Sequence, residues 1–363
     1  MRKITASELL KILEEHEKWR DTDKKEGEKA VLCIVNLSGA NLREADLSEA
    51  DLHNATLSKA DLREAFLNEA DLSEADLTDA RLSCANLSRA NLGGADLSGA
   101  DLYDAYLIDA NLSEANLSGA SLWKSNLSNT NLSGANLREA DLSEADLHYA
   151  NLSFANLSNA DLRDANLSFA NLSGAILSDA NLSGTNLYGT DLSGVNLSEA
   201  NLSDARLWKS NLSGADLRHA NLGGTVLSGA KLYNANLSEA DLHYATLSKA
   251  DLSHADLSHA YLYGARLSYA TTLRGANLEG ADLSGADLRG ANLIDANLSG
   301  ANLSDAWLIA ANLYCAKLYE ANLSGADLRE ANLTQVKNLS INELSKAKTL
   351  YKAELDPELK KQV

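Results

Sequence analysis

Proline, cysteine and aromatic residues are scarce in this sequence of 363 residues. There is one proline, Pro357, and aromatic residues make up 5% of the chain although 45% of it is hydrophobic. Since this is not the composition of an average globular domain, internal repeats rather than length decide the domain count. Because proline cannot donate a backbone hydrogen bond, its absence before residue 357 favours a structure in which every N–H group is paired.

The three cysteines, Cys33, Cys84 and Cys315, are odd in number and far apart in the sequence. None lies in a CxxC pair or another short spacing typical of metal sites, so they are predicted to be free thiols in a reducing compartment. No segment approaches the roughly 18 consecutive apolar residues of a membrane span, and the N-terminus does not resemble a signal peptide. We therefore expect a soluble, cytoplasmic protein without a membrane partner.

Acidic residues are concentrated in the middle of the chain, whose net charge is −19. Residues 36–333 carry 18 Lys and Arg against 39 Asp and Glu, whereas the two ends are neutral or slightly basic. Such a field repels nucleic acid and favours basic protein surfaces. We expect no direct binding of nucleic acid.

Leucine occurs at every fifth position from Leu37 to Leu267 and again from Leu273 to Leu333, in 60 units of the form A-(N/D)-L-x-x. Successive leucines would lie about 140° apart around an α-helix, so no amphipathic helix or coiled coil fits. A three-residue extended stretch does fit, because Ala and Leu then point inward and Asn or Asp outward. The x-x pair is predicted to form a corner.

Units such as ANLSE, ADLSG and ADLRE resemble those of the pentapeptide-repeat family, and the resemblance covers most of the chain. It implies an all-β solenoid, namely a right-handed quadrilateral β-helix with four pentapeptides per coil and therefore about 15 coils. The predicted organisation is an N-terminal capping helix over residues 1–30, the repeat β-helix over 31–335 and a C-terminal cap over 336–363. Thr271 and Thr272 occupy a place meant for one residue, which predicts a local bulge.

Both ends carry the signature of a short capping helix. Thr5 and Glu8 form a capping-box pattern before a helix predicted over residues 6–19, and Ser340 and Glu343 repeat the pattern. The residues predicted to cover the open coils are Leu9, Leu10, Ile12, Leu13 and Trp19 at one end, and Leu344, Ala347 and Leu350 at the other. Caps protect exposed β-edges. A partner contact or a homodimer through a terminal cap is the alternative.

No catalytic, cofactor or metal motif such as GxGxxG, Walker A, HExxH or GxSxG is present. A core filled by leucine leaves no pocket in which catalytic groups are desolvated. The histidines at the outer positions are predicted to be ordinary solvated side chains: His53, His148, His219, His243, His254 and His259. We expect no enzymatic activity, no cofactor and no metal site.

One face of the predicted coil departs from the consensus. Fifteen units lack Asn or Asp at the outward position, and seven of them share this face: Phe66, Tyr106, Arg206, Val226, Thr246, Arg266 and Trp307. Aromatic residues with arginine are the usual anchors of interfaces, although exposed aromatic residues also stack simply as ladder partners. The candidate partner-binding residues are Tyr149, Phe169, Tyr188, Arg206, Trp208, Val226, Thr246 and Arg266.

The preferred prediction of function is a non-enzymatic scaffold that binds a protein partner through this face. The resemblance implies an alternative, since some pentapeptide-repeat proteins resemble DNA in size and charge and bind type II topoisomerases such as gyrase. The expected charge density, one net charge per ~3.4 Å, is half that of duplex DNA, which disfavours mimicry. A structural spacer is a third possibility, and an acidic surface also simply maintains solubility.

Overall fold

The computed structural model describes residues 2–362, which form two compact units, Met1–Asn181 and Leu182–Val363. Within each unit, parallel β-bridges join residues 20 positions apart, such as Asp51 with Asp71 in the first unit and Arg206 with Val226 in the second. Twenty residues correspond to four pentapeptides, so the four-unit coil is confirmed inside each unit. The right-handed sense and the total number of coils stay predictions.

The extended stretches are shorter than the predicted three-residue strands. Among the residues described, strands longer than one residue occur only as β1 (Arg2–Lys3) and β2 (Val35–Asn36), which pair in parallel. In the repeats, a single residue at the Asn/Asp position forms each bridge. The physical reason is that a corner turns the chain after every three residues, so each face has room for one bridge only.

The unit from Ala70 to Glu74 shows how a pentapeptide satisfies all of its backbone N–H groups. Asp71 donates to a carbonyl of the preceding coil at 2.9 Å, and Leu72 and Glu74 donate to carbonyls of the following coil at 2.7 and 3.0 Å. Ala70 donates across the preceding corner at 3.1 Å. Ser73 donates to the Asp71 side chain at 3.1 Å. Since no donor is spare, proline has no place in the repeat.

Leucine and alanine fill the interior of both units, as predicted. The Leu and inward Ala side chains between residues 50 and 333 are at most 1% exposed. At five positions where a hydroxyl replaces the inward Ala, the hydroxyl donates to a backbone carbonyl. Ser125 reaches the Leu122 oxygen at 2.6 Å, and Thr130 reaches the Leu107 oxygen at 2.9 Å. These bonds offset the cost of burying a polar group.

Helix α1, Ala6–Asp21, lies at the N-terminal end and begins with the predicted capping box of Thr5 and Glu8. Its only fully buried side chain is a polar one, His16, among the residues described. The imidazole Nδ1 accepts the Ala30 N–H at 3.0 Å, and Nε2 contacts the Ser48 carbonyl oxygen at 3.0 Å. Leu10 was predicted to cover the first coil, but this is wrong because its side chain is 60% exposed.

The C-terminal end contains α2, Ile341–Leu344, and α3, Pro357–Lys360. The predicted capping box of Ser340 and Glu343 is present, and Leu344 is fully buried. The predicted helical face through Ala347 and Leu350 is wrong, because α2 ends at Leu344. The chain then rejoins the β-ladder, where Thr349 pairs with Asp327 and Glu354 pairs with Asn332.

The one-residue insertion widens a corner and leaves the ladder intact. Thr271 takes the buried inward position, and Thr272 forms the bridge to Asp251. The prediction that the extra residue lies at Thr271–Thr272 is therefore wrong. The extra residue lies in the preceding corner, where Tyr269 and Ala270 both have positive φ and are exposed. Backbone pairing continues on the neighbouring face, where the partner is now 21 residues away, from Arg266 to Asp287.

None of the helices within residues 2–362 has the length and hydrophobicity that a bilayer crossing requires.

Candidate partner-binding face

Two of the predicted residues, Tyr149 and Phe169, meet in the first unit. Both occupy the second corner position, where φ is 59° and the side chain projects outward. Their rings stack with centroids 5.1 Å apart and planes 9° from parallel. His148 adds an edge contact to Tyr149 at 5.5 Å. The result is an exposed aromatic pair.

Two other aromatic residues of the first unit, Phe66 and Tyr106, lie in one column of bridged residues. Asn86 separates them, since it pairs with each in turn. Both aromatic side chains are exposed. They do not stack on one another, so this part of the column contains isolated aromatic residues.

In the second unit, four predicted residues form the expected column. Consecutive parallel bridges join Arg206 to Val226, Val226 to Thr246, and Thr246 to Arg266. The two arginine side chains are exposed, and the residues between them are half-buried. The valine and the threonine therefore separate two guanidinium groups on one face.

Tyr188 and Trp208 form a second aromatic pair beside this column. Their ring centroids are 6.2 Å apart with planes tilted by 57°. The Lys209 ammonium lies 6.0 Å from the centre of the Tyr188 ring. Trp208 is 52% exposed, so much of the indole is available to another molecule.

The column continues beyond the insertion to Trp307, as predicted, and the structure adds Tyr269 and Arg289 to this face. Asp287 pairs with Arg266 and then with Trp307. The guanidinium carbon of Arg289 lies 5.1 Å from the Trp307 ring centre and 5.9 Å from that of Tyr269. These groups line a shallow surface depression. Residues that stack across the insertion are 21 positions apart instead of 20. Counting 21 residues at this point identifies Arg289 and Trp307 from the sequence.

The arginines of this face differ in their pairing. Arg289 donates to both carboxylate oxygens of Asp287, at 2.8 and 2.7 Å. Burial alone would raise the pKa of Asp287, but the hydrogen bonds and the charge of Arg289, together with a hydrogen bond from Ser268, outweigh it and hold the pKa below its usual value. Arg206 and Arg266 make no ion pair with a carboxylate anywhere in residues 2–362. They are therefore exposed cations in a protein of net charge −19.

A second aromatic cluster, which sequence reasoning missed, lies on another face of the same unit. His243 stacks on Tyr261 with centroids 6.0 Å apart, and Tyr244 meets Tyr263 edge-on at 5.5 Å. The three tyrosines are exposed. In the sequence, His243 and Tyr244 are separated from Tyr261 and Tyr263 by about one coil. A search limited to the outward strand positions does not detect this spacing. This cluster has no arginine among its ring contacts in the described part of the chain.

Several aspartates of the acidic ladder are paired with arginines on the surface. Aspartates at the bridge position accept the N–H of the residue two places later, as Asp61 does from Arg63. The Arg63 side chain also donates to both carboxylate oxygens at 2.7 and 2.6 Å, and these bonds lower the pKa of Asp61 to about 2. The same Asp-Leu-Arg pairing occurs at Asp161, Asp216, Asp287 and Asp327. Part of the acidic charge is thus neutralised on the surface itself.

The family model described as pentapeptide repeats (8 copies) matches segments of the chain between residues 35 and 335. The chain belongs to the pentapeptide-repeat family. This match indicates a repeat scaffold suited to protein interaction and points to no catalytic family. A comparison with curated proteins finds no match to this pentapeptide-repeat protein.

Solved structures of other pentapeptide-repeat proteins are similar in sequence over part of the chain. HetL, a protein involved in heterocyst differentiation regulation from the cyanobacterium Nostoc, is 36% identical, with 63% of this chain and 87% of HetL covered and a TM-score of 0.24. A thylakoid-lumen protein of Arabidopsis thaliana is 32% identical over 32% of this chain and 72% of its own, with a TM-score of 0.25. QnrB1, a plasmid-mediated fluoroquinolone resistance protein, is 19% identical over 54% of this chain and 92% of its own, with a TM-score of 0.37. The TM-scores are low, so the fold assignment depends on the repeat and its bridges.

Proposed function

We propose that this pentapeptide-repeat protein is a non-enzymatic, cytoplasmic scaffold that binds a protein partner through one face of the unit Leu182–Val363. This aromatic–arginine face comprises Tyr188, Arg206, Trp208, Val226, Thr246, Arg266, Tyr269, Arg289 and Trp307. The pair Tyr149–Phe169 of the first unit is a further contact in the proposal.

The observation that carries the proposal is the pair of unpaired, exposed arginines, Arg206 and Arg266, in an otherwise acidic protein. Exposed indole rings flank them, since Trp208 and Trp307 are 52% and 50% exposed. Tryptophan, tyrosine and arginine dominate the binding energy of protein interfaces. A second molecule that offers carboxylates and apolar side chains would pair the guanidinium groups and cover the rings.

Simple ladder stacking explains less of this face. It accounts for Tyr149 on Phe169, whose rings are nearly parallel, at a fraction of a kcal/mol. It does not account for Arg206 and Arg266, because neither makes an ion pair within residues 2–362. An exposed cation without a partner gains most when a binding partner supplies the carboxylate.

The test replaces Tyr188, Arg206 and Trp208 together by the residues that the repeat uses at the same positions, as Tyr188→Ser, Arg206→Asn and Trp208→Ser. Proteins captured from a cell lysate by the wild type and by the variant are compared quantitatively. The matched control makes consensus changes in the other aromatic cluster, as His243→Ser, Tyr261→Asn and Tyr263→Ser. We expect the first variant to lose specific partners that the control retains, with equal melting temperatures.

An unchanged set of partners in the first variant, with the fold intact, would show that the aromatic–arginine face is not the binding face. Loss of the same partners in both variants would also contradict the assignment. Purified gyrase serves as a defined candidate in a supercoiling assay. Salt-sensitive inhibition or protection that survives the triple substitution would favour the DNA-mimicry alternative.

The low net charge density that disfavours that alternative already includes the Asp–Arg pairs. Each pair, such as Asp61 with Arg63, cancels one acidic charge of the surface.

A homodimer through the N-terminal cap is a separate part of the proposal, supported by the exposed apolar side chains of Leu10, Val31 and Ile34. Sedimentation of the wild type and of Leu10→Glu distinguishes a dimer through this cap from a monomer.

A further inference from the structure

Three side chains with metal-binding atoms meet in the first unit, although they lie up to 20 residues apart in the sequence. The Sγ of Cys33, a carboxylate oxygen of Asp51 and an imidazole nitrogen of His53 all lie within 4.8 Å of one another. The backbone fixes this meeting. Leu32 donates to the Asp51 carbonyl at 2.7 Å, and Ile34 donates to the His53 carbonyl at 3.1 Å. Cys33 is thereby held between two inter-coil hydrogen bonds.

The Asp-Leu-His triplet occurs three times in the chain, and each copy brings the carboxylate to the imidazole of the same unit. Nδ1 of His53 lies 2.6 Å from Asp51 Oδ1, Nδ1 of His148 lies 2.9 Å from Asp146 Oδ1, and His243 makes the same contact with Asp241. Each pair therefore presents nitrogen and oxygen donors side by side on the surface.

The residue of the preceding coil opposite each triplet differs. The backbone frame is the same in all three cases, with N–H groups donating to the carbonyls of the Asp and the His. The residues held in that frame are Cys33, Ser128 and Gly223. Only the first copy adds a thiol. Residues 2–362 thus contain one three-donor cluster and two natural two-donor controls.

We propose that Cys33, Asp51 and His53 bind a divalent transition-metal ion of the zinc class. Thiolate sulfur, imidazole nitrogen and carboxylate oxygen are the protein ligands of zinc, whereas calcium and magnesium prefer oxygen alone. Donor atoms around tetrahedral zinc are roughly 3.5 Å apart, so shifts of about 1 Å in the side-chain donor atoms would bring these three to that spacing.

The site is accessible to an ion from solvent. Cys33 is half-buried, and the side chains of Asp51 and His53 are 28% and 37% exposed. Three protein donors leave one tetrahedral position for water or another ligand. Because Cys33 lies in the coil before Asp51 and His53, the ion would link the beginning of the β-ladder to the coil that follows it.

The experiment titrates the purified full-length protein, kept reduced, first with Co²⁺ as a spectroscopic probe and then with Zn²⁺. We expect one equivalent of cobalt, a thiolate-to-cobalt charge-transfer band, and displacement of both by zinc. Each ligand is removed by a residue that the repeat itself uses at that position, in Cys33→Ser, Asp51→Asn and His53→Ser. We expect the band to disappear in Cys33→Ser, and zinc affinity to fall about tenfold or more in each variant.

Matched controls are Cys84→Ser and Cys315→Ser for the thiol, and the double variant Asp146→Asn with His148→Ser for the two-donor pair. They should bind cobalt and zinc like the wild type. The proposal is overturned if the wild type shows no charge-transfer band, if Cys33→Ser binds zinc as tightly as the wild type, or if the Cys84→Ser change removes the band. None of these outcomes depends on the aromatic–arginine face, so the two proposals fail or stand separately.

Discussion

The imidazole Nε2 of His16 lies 3.0 Å from the carbonyl oxygen of Ser48 and thereby connects helix α1 to the β-ladder. Because Nδ1 accepts a hydrogen bond from the N–H of Ala30, Nε2 carries the ring proton and donates a hydrogen bond to the carbonyl oxygen of Ser48. Both ring nitrogens are used, and the neutral form is the one that fits. The N-terminal helix is therefore attached by a buried, satisfied polar group.

Replacing His16 by Ala should destabilise the N-terminal end. The change leaves the Ala30 N–H and the Ser48 carbonyl without their ring partner, which costs about 1–3 kcal/mol for such buried groups. Urea unfolding followed by circular dichroism measures the effect. The neighbouring change Glu17→Ala, at an exposed position of α1, is the control and should be nearly neutral. Equal loss in both variants would show that the His16 contacts contribute nothing specific.

The same histidine predicts a loss of stability in mild acid. Burial lowers the pKa of His16 below its ordinary value of 6.5, and it outweighs the opposing effects of Asp46 and the Ser48 carbonyl. The unfolded chain then binds a proton at a pH where the folded chain does not, so lowering the pH favours unfolding. The stabilisation is full above the unfolded pKa of 6.5 and is lost progressively as the pH falls from there toward the lower folded pKa.

Melting temperatures measured from about pH 8 to about pH 5 test this linkage. The wild type should lose more stability over this range than His16→Ala, which lacks the titrating ring. Parallel pH profiles for the two proteins would contradict the assignment of His16 as the linked group.

A carboxylate placed in the leucine interior should unfold several coils. Leu187 is fully buried, so Leu187→Glu buries a charge without a partner, and we expect a loss on the order of 4 kcal/mol or more. Gly194→Glu is the control, since nothing lies within 4 Å of a Cβ added there and other units have Glu with positive φ at that corner position. Thermal melting distinguishes the two. A normal melting curve for Leu187→Glu would refute the inward position of leucine.

The Asn ladder should depend more on its oxygen than on its nitrogen. Asn131 Oδ1 accepts from the Ser133 N–H at 3.2 Å and from Asn151 Nδ2 at 3.2 Å, while its Nδ2 donates to Asn111 at 3.1 Å. Asn131→Ala removes these three bonds and a fourth, which Oδ1 accepts from the Ser133 hydroxyl at 2.9 Å, and should cost about 1–2 kcal/mol. Asn131→Asp keeps the acceptor and should cost less. Chemical denaturation ranks them, and a larger loss for Asp than for Ala would contradict the role of the corner hydrogen bond.

The interior of the fold is predictable from the sequence because one physical rule governs it. Alternation along three extended residues places Ala and Leu inside and Asn or Asp outside, and the burial of Ala70 and Leu72 follows directly. The capping boxes at Thr5 and Ser340 are local patterns and are equally visible. The column from Arg206 to Arg266 follows from counting 20 residues per coil.

The features that the sequence analysis missed depend on contacts between groups with no fixed spacing. His16 is a polar residue on a helix, and only the position of α1 over Ala30 and Ser48 explains its burial. Arg289 joins the aromatic–arginine face because the corner at Ala270 shifts the count by one. The role of outward Asn and Asp as acceptors for their own corner was also missed, since alternation gives a side-chain direction but no partner.

The widened corner at Tyr269 and Ala270 shows where the chain tolerates a change in length. Both residues project into solvent, and the bridges on either side, Thr246 to Arg266 and Asp251 to Thr272, form as they do elsewhere. An insertion at the inward position would instead displace a leucine from the interior. We therefore expect this corner to be a grafting point, at which an engineered loop, an epitope or a fluorescent label enters between coils while the register of the repeat is kept.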